Sequence, residues 1–169
     1  MMHRMIARAL FFGLVLAAGC GNATEPTQVL IEVDTDLVPP TEVDSVVITV
    51  SDPTGQEMTS EASTMVGDRP FPRTLGVVNK SGRLGPFTAE IVARRGSTRV
   101  VSQTLRFSFV QDRVMQLSVF LSSTCENVRC ERTETCRRGG VCGSQDVELE
   151  DWGGAGSSLS SPDAGVDTF

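Results

Sequence analysis

The stretch Pro86–Leu121, PFTAEIVARRGSTRVVSQTLRFSFVQDRVMQLSVFL, decides the fold. In its first third, Phe87, Ala89, Ile91 and Ala93 fall on one face and the residues between them are mostly polar. Gly96-Ser97 then offers a tight hairpin turn. In the middle third Val101, Leu105, Phe107 and Phe109 share a face, which Gln103 interrupts. After the turn at Val110-Gln111-Asp112, Met115, Leu117, Val119 and Leu121 align again. Side chains alternate across a strand, so a period of two predicts three half-buried strands in succession.

Upstream the same period recurs. In VLIEVDTD, Val29, Ile31 and Val33 face one way and Leu30, Glu32, Asp34 and Asp36 the other. Pro39-Pro40 ends that strand, because proline cannot donate to a ladder. VDSVVITVSD predicts a second strand, with Val46, Ile48 and Val50 inward, closed by the turn Asp52-Pro53-Thr54-Gly55. Residues 56–72 are mostly polar, broken by glycine and proline, and show no period. RTLGVVN, from Arg73, reads as a short strand and KSGRLG as a loop. No stretch sustains a period of 3.6. Five to seven strands between residues 29 and 122 predict an all-β domain, a single Ig-like or transthyretin-like β-sandwich whose two antiparallel sheets each bury one face.

Downstream, residues 123–143 hold Cys125, Cys130, Cys136 and Cys142, spaced C-x4-C-x5-C-x5-C. Structural zinc favours closer pairs such as C-x2-C, often with histidine, and neither is present in this segment. The spacing therefore predicts two disulfides, in any of three pairings. Residues 144–169 are acidic and rich in glycine and serine; they predict a disordered tail in which Trp152, the sole tryptophan, is an exposed residue or a docking one.

Charge is divided along the chain, whose formal net charge is −6. From Glu25 to Asp68 the charged residues are all acidic; from Arg69 to Arg113 they are basic except for Glu90 and Asp112. Pairing between two halves of one sandwich is expected from this, or a basic face that meets an anionic envelope polymer such as lipopolysaccharide or peptidoglycan. The overall sign disfavours nucleic acid as a partner.

The N-terminus runs MMHRMIAR, then ALFFGLVLAA, then Gly19-Cys20. A positively charged start, about ten apolar residues and small residues before a cut form a secretory signal, too short for a stable membrane span. The residues Ala17-Ala18-Gly19-Cys20 resemble the lipobox of bacterial lipoproteins, with Ala17 where that family usually has leucine. The resemblance implies that residues 1–19 are a signal peptide. It also implies that Cys20 is the lipid attachment site, that residues 20–28 tether the domain to a membrane, and that the location is the cell envelope of a Gram-negative bacterium. Gly21, where the usual inner-membrane retention signal is aspartate, leans the expectation towards the outer membrane.

The cysteine spacing resembles the first half of an EGF module, with Gly139-Gly140 before the last cysteine; that likeness implies the bridges Cys125–Cys136 and Cys130–Cys142. The whole layout, including FPRTLGVV and LGPFTAEIVARRGS, resembles envelope lipoproteins of large-genome Gram-negative soil bacteria, and this resemblance implies no activity.

Candidate chemistry is sparse. Glu32, Asp34 and Asp36 share a strand face; three carboxylates suit Ca²⁺, but the glycine and the later acid of an EF-hand loop are missing. The sole histidine, His3, lies ahead of the expected cut, so a Ser–His or Cys–His nucleophile is excluded from the processed chain. Asn22-Ala23-Thr24 and Asn79-Lys80-Ser81 match the glycosylation acceptor pattern, a chance match in a bacterial lipoprotein. The expectation is a lipid-anchored, non-catalytic envelope protein that needs no cofactor or metal. It would display a β-sandwich for binding or structure, towards an envelope protein or polysaccharide. Alternatives are a secreted, non-lipidated binding domain and a hydrolase built on unrecognised carboxylates.

Overall fold

Apolar side chains two residues apart demand two sheets to cover them, and the chain supplies both. The structure, a computed structural model, describes residues 25–63 and 71–153. The expected signal peptide, Cys20, Asn22 and most of the expected tether lie outside the described residues, as does the chain beyond Gly153. The strands are β1 (Gln28–Thr35), β2 (Ser45–Ser51), β3 (Glu57–Ser63), β4 (Arg73–Val78), β5 (Phe87–Arg95), β6 (Thr98–Phe107) and β7 (Val114–Leu121). A 3-10 turn (Ser123–Cys125) and the short strands β8 (Glu134–Arg137), β9 (Val141–Ser144) and β10 (Glu150–Asp151) follow.

One four-stranded sheet has the order β10-β7-β1-β4 and the other β3-β2-β5-β6. Between them lie Val29, Ile31 and Val33 from β1, Val46, Ile48 and Val50 from β2, Ala89, Ile91 and Ala93 from β5, and Met115, Leu117, Val119 and Leu121 from β7. Each such burial contributes roughly 1.5–3 kcal/mol for the larger side chains, which is why the period-two pattern locates the core. Phe87, Phe107 and Phe109 close one end of it. The rings of Phe87 and Phe109 meet edge to face at 4.8 Å between centroids.

Four features depart from the expectation. First, the sheets are not purely antiparallel: β1 runs parallel to β7, with Gln28 opposite Val114 and Thr35 opposite Leu121. Side-chain alternation is the same in both ladder types, so the pattern carries no direction. Second, β3 lies inside the stretch that showed no period. Among the described residues it is an edge strand, paired with β2 alone, and Met58 and Glu61 on it are exposed, so no apolar alternation was required of it. Third, Gln103 is buried among the apolar residues of β6 and donates from Nε2 to the Phe120 carbonyl at 2.7 Å.

Fourth, disorder from residue 144 is corrected for residues 144–153. The Arg106 amide donates to the Gln145 carbonyl at 2.7 Å and Val147 donates back to the Arg106 carbonyl at 3.0 Å. Val147 and Leu149 pack on the core, and β10 adds to β7 with Glu150 opposite Gln116. The composition is that of a solvated tail, but two free strand edges and two apolar side chains at alternate positions suffice to hold it.

Candidate functional site

The stapled segment is built on the end of β7. Asp36, just past β1, accepts hydrogen bonds from the Ser122 hydroxyl at 3.0 Å and the Ser123 amide at 2.6 Å, fixing the 3-10 turn that carries Cys125. Disulfides join Cys125 to Cys136 and Cys130 to Cys142. This is the alternate pairing that the likeness to half an EGF module implied. Cys125 and Cys136 are each 5% exposed and belong to the core of the sandwich, so the segment docks rather than standing apart. Strand β8 lies along β6, where the Thr104 amide donates to the buried Thr135 hydroxyl at 3.0 Å. Gln145 ties the segment to itself, its side-chain Nε2 donating to the carbonyl of Glu134 at 3.0 Å. The Arg138 guanidinium stacks 4.4 Å above the Phe120 ring, and burial pulls the Arg137 guanidinium below its ordinary value while it donates to the Ser144 carbonyl.

The strand-face carboxylates do not act together. Glu32 accepts from Gln116 Nε2 at 3.2 Å, Asp34 accepts from the Thr35 amide at 2.8 Å, and Asp36 is engaged at the 3-10 turn. Among the described residues no group of three His, Cys, Asp or Glu side chains is placed to hold a metal ion. Asn79 of the second glycosylation pattern uses its side chain locally: Nδ2 donates to the Arg83 carbonyl at 2.7 Å and Oδ1 accepts from the Ser81 amide at 3.1 Å.

The divided charge is partly resolved by a partner that the sequence reading assigned to a tail. Arg106 pairs with Asp146 at 3.5 Å and Arg113 with Asp151 at 2.6 Å, so acids of the C-terminal segment meet bases of the sandwich. Arg99 pairs within the hairpin with Glu90 at 2.7 Å. Beside the first of these pairs is a shallow cleft of about 340 Å³, walled by Pro86, Phe107, Val110, Val147 and Leu149. Its volume is in the range of small-molecule sites; of the charged residues that line it, Arg106 and Asp146 pair with each other, and Glu148 is the third.

The end of the sandwich at which the chain enters β1 is better defined than its sequence suggested. The Thr27 carbonyl accepts from the Asn79 amide at 3.0 Å and its hydroxyl from the Asp112 amide at 2.9 Å. Thr27 is thus pinned between the loop after β4 and the loop after β6. Those two loops also touch, the Phe109 amide donating to the Leu84 carbonyl at 2.6 Å. Gly85 permits this approach: its φ is +147° and a Cβ there would lie 2.9 Å from Ser108 Cα. On the neighbouring turn Asp52 accepts from the Thr54 hydroxyl, the Gln56 amide and the Thr54 amide. These bonds, the hydroxyl first, hold its carboxyl below the ordinary 3.8, and the Arg83 guanidinium adds a smaller pull.

No helix among the described residues is long and apolar enough to cross a membrane. No protein-family model, curated protein or solved structure matches the chain.

Proposed function

We propose that this chain is an envelope lipoprotein: exported, cut before Cys20, held on the outer membrane of a Gram-negative bacterium by acyl chains on that residue, and non-catalytic. It presents the sandwich and its stapled segment for a binding or structural role. The observation that carries the reading is the juxtaposition, in one chain, of Ala17-Ala18-Gly19-Cys20 behind an apolar run and two disulfides at residues 125–142. Disulfides persist in oxidising compartments outside the cytosol, so the bridges support export independently of the signal. A single acyl chain anchors only marginally, whereas several give a lasting hold, each buried methylene adding about 0.8 kcal/mol. Glu32, Asp34 and Asp36 are each engaged in separate hydrogen bonds, and the sole histidine precedes Cys20, which favours display over hydrolysis.

Metabolic labelling with a clickable fatty acid tests the reading. The wild-type chain should carry label and Cys20→Ala should not. An unlabelled wild type, or equal label in both, rejects lipidation and leaves the secreted binding domain as the alternative.

A further inference from the structure

Apolar side chains that stay exposed are unevenly placed on this molecule. Leu84, Val110, Trp152, Met58 and Val78 are 41%, 39%, 42%, 45% and 49% exposed. All five lie at one end. Val78 and Val114 both oppose Gln28 at the start of β1. Leu84 and Val110 flank the hydrogen bond between Phe109 and Leu84, the Trp152 amide donates to the Val114 carbonyl, and Met58 sits at the start of β3. The tether leaves at this same end, with Thr27 held by Asn79 and Asp112.

Resting on the lipoprotein reading, the geometry points to this end as a surface that docks onto the bilayer in which the chain's own anchor sits. Cys20 is eight residues from Gln28, a reach of about 28 Å at full extension. So short a tether makes docking an intramolecular event, for which a few apolar side chains suffice. Trp152 is suited to the headgroup level, where an amphipathic ring keeps its N–H wet. Charge at this end is net acidic: Lys80, Arg83 and Arg113 stand against Glu25, Asp52, Glu57, Asp112, Glu150 and Asp151, and Arg113 is already paired with Asp151. The contact is therefore made by apolar burial, which salt does not screen, rather than by attraction to anionic lipid.

Trp152 is the only tryptophan, and Cys20 is the one cysteine beyond the two bridges. Together they allow a test that does not depend on acylation by a cell. The oxidised chain from Cys20 onward is coupled through that thiol to maleimide-bearing lipid in vesicles of phosphatidylethanolamine and phosphatidylglycerol. The Trp152 emission should shift to the blue and be quenched by lipid brominated along its acyl chains, at high salt no less than at low salt. Leu84→Asp with Val110→Asp should return both signals to those of the uncoupled chain. The milder Leu84→Ser with Val110→Ser should weaken them, and Val38→Asp with Val141→Asp, away from this end, should leave them unchanged. Water-like emission in the coupled wild type overturns the inference. So does quenching that survives both Leu84/Val110 variants, or a blue shift that grows with protein concentration without vesicles, which would mark self-association. Failure of the anchor reading is seen separately, in the labelling of Cys20.

Discussion

Gln103 and Phe120 join the two sheets of the sandwich through a single hydrogen bond. The side-chain amide of Gln103, 3% exposed, donates to the main-chain carbonyl of Phe120 at 2.7 Å. Gln103 is on β6 of one sheet and Phe120 on β7 of the other, so the bond bridges the layers where an apolar residue could only fill space.

Replacing this amide should cost more than its net worth, because the carbonyl it serves is left without a donor. Gln103→Leu should lower unfolding stability by about 1–3 kcal/mol, read as a lower urea midpoint at unchanged slope. A variant as stable as wild type would show that the carbonyl finds another donor.

The two disulfides close loops of nearly equal length, spanning 11 and 12 positions, so chain entropy ranks them alike. Packing separates them. Cys125 and Cys136 are part of the core, whereas Cys142 and Cys130 are half-buried, Cys130 packing against the core from outside it. Replacing Cys125 and Cys136 together by alanine should cost about 2–5 kcal/mol and exceed the cost of the same change at Cys130 and Cys142. Guanidinium unfolding of the two double variants gives the comparison.

The C-terminal strand should be held by Val147 and Leu149 more than by its ion pairs. Asp151→Asn removes an exposed pair worth about 0.2–1 kcal/mol. Val147→Ser with Leu149→Ser removes apolar contact with the core and should free the segment. Hydrogen exchange at the amides of Arg106, Val147 and Trp152 should rise sharply in the serine variant and little in Asp151→Asn, since these amides make the bonds that the segment contributes.

Asp52 should titrate below 3.8, held there first by the Thr54 hydroxyl. A carboxyl whose value is lowered on folding contributes stability that is complete above its unfolded value. That contribution is lost as pH falls through the folded one. The turn at residues 52–55 should thus loosen only on the acid side of 3.8, and Thr54→Ala should move the midpoint back towards it. Carboxyl carbon shifts followed by NMR measure both.

The legible parts of the fold are those in which one side chain in two meets the core. Val29, Ile31 and Val33, and likewise Met115, Leu117, Val119 and Leu121, were visible as strands because burial imposes its period on the residues themselves. The edge strand β3 was not, since Met58 and Glu61 need no core. Glu32, Asp34 and Asp36 were legible as a shared face. Their separate hydrogen bonds were not, because Gln116 and Ser122 reach them only once β7 lies beside β1.

The sequence by itself determined the class of fold, the residues that line its core, the stapling of residues 125–142 and the signature around Cys20. All of these are written in local spacing. Tertiary structure alone decided the parallel run of β1 beside β7, the use of Gln103 as a tie between layers, the fastening of residues 144–153 to Arg106 and Met115, and the placing of Leu84, Val110 and Trp152 at the end where the chain enters β1. The reason is physical. Alternation records that a side chain is buried, whereas a hydrogen-bond partner far along the chain is chosen by which edges the packed sheets leave open.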